Sequence, residues 1–213
     1  MTGGSRSGTR ASLIPDGSSD DDGPEGPDDS EPAETVNAHI ERLTHLVAPP
    51  AGAAPRADWD DVARELGVGL PGDYRALIDA YGGGRFDEYL WVLEPRCPNR
   101  HYDLLRSVAE RNEALEMLWE DGEPMPAQLE SPGSRIIPWA STDNGEFLYW
   151  LVQPGSRPEE WTVMVNEARG EWWEHFDVGC AELLVRLLTG EIRSEILSSS
   201  FPSQVHEFSR AAA

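Results

Sequence analysis

Six consecutive apolar residues, Phe147-Leu148-Tyr149-Trp150-Leu151-Val152, constrain this chain more than any other segment. Asn144-Gly145 precedes the run, and Gln153-Pro154-Gly155 follows it. Aromatic and branched side chains of this kind suit a pleated strand. Neighbouring side chains along a strand face opposite ways, so Phe147, Tyr149 and Leu151 share one face and Leu148, Trp150 and Val152 the other. Both faces need cover, which places the segment in the middle of a sheet. Asn144-Gly145 favours a tight hairpin, so the run Arg135 to Trp139 is its expected antiparallel partner.

Two further strands are expected, Trp161 to Glu167 and Glu171 to Phe176, joined by a tight turn at Ala168-Arg169-Gly170. Phe86 to Leu93 has the same period-two texture and reads as one strand closed by Pro95. The helical signals lie mostly upstream. Val36, Ile40, Leu43 and Val47 repeat at helical spacing ahead of Pro49-Pro50. Asp58 stands as an N-cap before Trp59, Val62, Ala63 and Leu66, and Gly67 ends that helix. Pro71 opens a third helix through Tyr74, Leu77, Ile78 and Tyr81, which Gly82-Gly83-Gly84 stops. A longer helix spans about Tyr102 to Glu120, and Cys180 to Leu188 forms a closing helix before Gly190. Helices, then hairpin-linked strands, then a helix give a single α+β domain: an antiparallel or mixed sheet of about four to six strands with helices packed on it.

Charge narrows the function. The chain has 39 Asp and Glu against 17 bases, a formal net charge of −22, and every base is Arg. With no Lys there is no lysine Schiff base, no Walker-type phosphate loop and no Ser–Lys dyad. Such acidity repels phosphates and supplies no cations for counterion release, which argues against nucleic acid as a partner. A basic protein is the natural complement. Residues 1–34 hold nine acids and two Arg and almost no apolar residues, so they read as a disordered acidic tail. Most of the negative charge therefore belongs to the domain at 35–197, and 198–213 reads as a C-terminal tail.

Cys97 and Cys180 stand alone, outside any CxxC pattern, which fits a reduced compartment. No apolar run approaches the roughly 18 residues of a membrane span, and no secretory leader pattern follows Arg6 and Arg10. The expectation is a soluble cytoplasmic protein.

The order of these signals is itself informative. Leu70-Pro71-Gly72-Asp73-Tyr74 followed by Tyr81-Gly82-Gly83-Gly84 resembles the opening signature of the SUKH superfamily. Asp58-Trp59, Leu66-Gly67, Ile137-Pro138-Trp139-Ala140, Asn144-Gly145-Glu146, the Trp161 strand and Trp172-Trp173 continue the match over roughly residues 36 to 197. That group includes fungal Smi–Knr cell-wall regulators and many bacterial immunity proteins. The resemblance implies an α+β binding domain rather than an enzyme. Its best-supported role is neutralising polymorphic toxins, often nucleases; the alternative is a regulatory scaffold for an endogenous protein.

No catalytic constellation, cofactor motif or metal-ligand spacing stands above background. His39, His45, His101, His175 and His206 are scattered, and none pairs at i, i+4. A hydrolase would have to assemble His175, Asp177 and Asp143. Asp73-Tyr74 reads better as an acid at a helix start beside a core aromatic than as a binding pair. The eight tryptophans are numerous for this length. Trp59, Trp139 and Trp161 read as core, whereas Trp91, Trp150 and Trp172-Trp173 sit where a ring can lie on an open sheet face. With carboxylates beside them, the expected partner-binding residues are Asp87, Glu88, Trp91, Glu94, Asp143, Glu146, Trp150 and Glu171.

Overall fold

The computed structural model describes residues 31–52, 56–167 and 170–211. Its centre is a seven-stranded sheet in the order β6-β5-β4-β3-β2-β1-β7, with every pair antiparallel. The strands are β1 (Gly84–Phe86), β2 (Leu90–Val92), β3 (Arg135–Thr142), β4 (Phe147–Val152), β5 (Thr162–Asn166), β6 (Trp173–Phe176) and β7 (Phe208–Arg210). Five α-helices accompany them among the described residues: α1 (Glu31–Leu46), α2 (Trp59–Leu66), α3 (Gly72–Tyr81), α4 (Leu104–Glu120) and α5 (Cys180–Leu188). The fold is α+β, with one strand more than the expected range.

β4 is central, as its two apolar faces require. Leu148, Trp150 and Val152 join the main core, which α1, α3 and α5 cover. Tyr149 and Leu151 face a second cluster with Leu115 of α4, Leu129, Ile136 and Met164. β3 carries a proline, which removes a ladder donor. Its register shifts between Pro138 and Ala140, where a bulge accommodates the missing N–H.

The caps of α2 are the residues expected to make them. Asp58 Oδ1 accepts from the Asp61 amide at 3.0 Å, and Gly67 takes the left-handed conformation that ends α2. Asp103 caps α4 by accepting from Leu105 N at 3.2 Å.

Three expectations change. Phe86 to Leu93 is a hairpin rather than one strand, because Asp87 and Glu88 take φ of 50° and 53° and fold the chain between β1 and β2. Asp and Glu replace the usual Asn-Gly there, so the turn carried no compositional signal. Residues 198–213, read as a tail, contain β7, which pairs with β1. β7 is short, and its apolar anchor Phe208 packs on Tyr81 and Phe86 at 5.1 and 4.7 Å between ring centroids. Of the 1–34 segment, residues 1–30 lie outside the described residues, while 31–34 belong to α1. The expected turn at Ala168-Arg169-Gly170 also lies largely outside them, although β5 and β6 pair as anticipated.

The glycine triplet serves the packing. Gly82 ends α3, its N–H bonding Ile78 O. A methyl group on Gly83 would lie 2.5 Å from Glu94 Cβ, and one on Gly84 would lie 2.4 Å from the Ser209 carbonyl. Only glycine lets β7 and the Glu94 side chain approach this closely.

Candidate functional site

Register places three hairpin turns at one end of the sheet. Phe86 pairs with Leu90, Ser141 with Phe147, and Asn166 with Trp173, so residues 87–89 and 143–146 and the described residues Glu167 and 170–172 lie at the same end. Exposed carboxylates of this end are Glu88, Asp143, Glu171 and, beside the start of β7, Glu207.

Trp91 of β2 sits behind the first two turns, half-buried on the face opposite the main core. Tyr102 stacks on it with ring centroids 3.7 Å apart and planes 8° from parallel. The Arg85 guanidinium lies 4.9 Å from the Trp91 centroid. Trp91 Nε1 donates to Asp143 Oδ1 at 2.6 Å. Arg85 also reaches Glu88 at 3.4 Å and Asp143 at 3.6 Å. One guanidinium thus faces two carboxylates, and the patch keeps an excess negative charge around an ordered aromatic pair. Arg85 and Tyr102 were missed in the sequence because neither adjoins a tryptophan there. Arg85 meets Trp91 only through the β1–β2 pairing.

Four of the eight expected residues are interior instead. The Asp87 side chain is fully buried and accepts from Ser203 N at 3.0 Å, Glu207 N at 3.0 Å and His206 Nδ1 at 2.8 Å. It holds the approach to β7 and presents nothing to a partner. Glu94 is buried and accepts from Gly83 N at 3.1 Å. Glu146 is buried between the Thr142 hydroxyl and the Tyr89 hydroxyl, the latter at 3.2 Å. Trp150 lies in the main core against Tyr74 at 4.8 Å, because α3 and α5 close the face that alternation alone left open. Glu88, Trp91, Asp143 and Glu171 remain accessible.

The other candidates have structural duties. Asp73 Oδ2 accepts from Ala181 N at 3.0 Å and from the Cys180 thiol at 3.3 Å, capping α5 from another helix. The Tyr74 hydroxyl donates to the Leu93 carbonyl in the core. Burial raises the Tyr74 phenol and the Cys180 thiol, and the Asp73 carboxylate raises the thiol further. His175 bonds Thr162 Oγ1 at 2.8 Å on β6, while Asp143 serves Trp91, so the hydrolase grouping is not assembled through hydrogen bonds. Among the described residues no three His, Cys, Asp or Glu side chains are placed to hold a metal ion. No helix there is long and apolar enough to cross a membrane.

Comparison with known families agrees with this architecture. The family described as SMI1-KNR4 cell-wall (SUKH_6) matches residues 56–180, more than half of the chain. The chain belongs to the SUKH superfamily. Comparisons with curated proteins and with solved structures gave no significant match. In this SUKH chain the segment 70–84 has a clear mechanical meaning: Asp73 caps α5, Tyr74 anchors α3 to the strand side, and the glycines admit Glu94 and β7.

Proposed function

We propose that this SUKH chain is a non-enzymatic binding protein that captures a cationic protein, as an immunity factor against a nuclease-type toxin. The observation that carries the reading is the uncompensated acidity of the ordered surface. The described residues contain 32 Asp and Glu against 14 Arg, and the hairpin end sets exposed carboxylates beside the stacked Trp91–Tyr102 pair. A nuclease must be basic around its substrate groove, so an acidic surface is steered to it and competes with nucleic acid. Glu88, Trp91, Asp143 and Glu171 are the proposed contacts. Superfamily membership implies protein–protein interaction, and members are generally not enzymes.

The family's cell-wall description favours a second reading, a regulatory scaffold for an endogenous protein. Co-expression with the reading frames adjacent to this gene, followed by affinity capture, separates the two. Stoichiometric capture of a basic product of a neighbouring frame supports the immunity reading. Capture of a cell-wall regulator encoded elsewhere, with no neighbour retained, overturns it.

A further inference from the structure

A groove of about 600 Å3 runs between α2, α4 and β3, where Leu66, Leu105, Val108 and Ile137 of the main core meet Leu115, Leu129 and Ile136 of the second cluster. Its floor is apolar. Met125, one of the exposed large apolar side chains among the described residues, lines it. An exposed methionine suits a surface that adapts to another chain. Along one strip of α4 stand Glu113, Glu116 and Glu120, all exposed and without an ion-pair partner among the described residues. One base, Arg135, also lines the groove, and Glu65 at the α2 end is paired to Arg96.

An apolar channel beside a carboxylate strip complements a helix with one apolar face and a basic flank. Charge excludes the other occupants. The chain's own residues 1–30 carry seven acids and two Arg, and a second copy would bring an identical acidic strip. We propose that this groove seats a basic amphipathic helix of the partner protein. The proposal rests on the binding function above and adds a second contact surface, distinct from the hairpin end.

The test uses a fluorescein-labelled peptide of about 15 leucine and lysine residues with leucines at helical spacing, and an isomer of equal composition in scrambled order. Its arms are the full chain, the double variant Ala109→Arg with Glu116→Arg, and the hairpin-end variant Glu88→Arg with Asp143→Arg. All four positions are exposed, and circular dichroism confirms that each variant is folded before binding is compared. The expected result is binding at least about tenfold tighter for the amphipathic peptide than for the isomer, at least about tenfold loss in the groove variant, and little change in the hairpin-end variant. Methionine-methyl NMR should show Met125 shifting while buried Met164 stays fixed. Equal binding of both peptides, or a loss confined to the hairpin-end variant, overturns the proposal. Capture of a neighbouring gene product that is unaffected in the groove variant overturns the groove alone and leaves the binding function standing.

Discussion

At the residue scale the motif positions act through hydrogen bonds that span the chain. Asp73 spaced before Tyr74 was legible as an acid at a helix start, yet the helix it caps most tellingly is α5, 107 residues away at Cys180. No local pattern encodes that partner. Removing the acceptor in Asp73→Ala should cost about 1–3 kcal/mol, whereas Asp73→Asn keeps an oxygen and should cost less than half as much. Urea unfolding measures both, and equal losses would show that the carboxylate does not cap α5. Alkaline pH gives a second expectation. Burial raises Tyr74, Cys180 and Tyr149, the last to about 12, from ordinary values of 10.0 and 9.0. Below these ordinary values both states are protonated and the stability is fully present. Above them the unfolded chain releases protons that the fold retains, so stability falls with rising pH toward the folded values. The urea midpoint should drop between about pH 8 and about pH 10.5, less steeply in Tyr149→Phe. A flat profile would contradict the burial of these groups.

At the element scale the sequence was legible where periodicity was sustained or a turn residue marked the boundary. α2, α4, α5 and the β3–β4 hairpin lie close to their expected places: Asp58 and Gly67 bound α2, Gly190 follows α5, Asn144-Gly145 marks the hairpin, and apolar spacing located α4. Two features were hidden. The β1–β2 turn uses Asp87 and Glu88 in the left-handed region, a conformation stabilised by the distant backbone of residues 203–207 rather than by turn-forming residues. β7 is three residues long, below the length at which alternation can be read. The same long-range dependence explains why Asp87, Glu94, Glu146 and Trp150 were taken for surface: burial of a carboxylate or an indole is decided by neighbours far along the chain. Gly84→Ala tests the docking of β7. Its methyl group would strike the Ser209 carbonyl and Phe208, so β7 should be displaced, at a cost of about 1–3 kcal/mol. The Ala211 amide, which bonds Gly83 O at 2.9 Å, should then lose hydrogen-exchange protection. Retained protection would mean that the sheet absorbs the methyl group elsewhere.

At the scale of the whole molecule, charge and fold both bear on the proposed binding role. The α+β class and the SUKH resemblance were available from the order of motifs, and the family match over residues 56–180 agrees with them. The proposed binding surface was half legible: composition gave its sign, but only strand register brought Arg85, Trp91, Tyr102 and Asp143 together. The central claim is that fixed carboxylates on the folded domain recruit a cationic protein. Stopped-flow association with the basic product captured from a neighbouring frame tests it, for the full chain, Glu88→Arg with Asp143→Arg, and a chain lacking residues 1–30. Raising salt from about 50 mM to about 300 mM should slow association by about tenfold or more, with the dissociation rate nearly unchanged. At low salt the double reversal should also slow association about tenfold, and the truncation should change it less than about twofold. A rate indifferent to salt and to the reversal, or one that collapses only on truncation, would contradict the account.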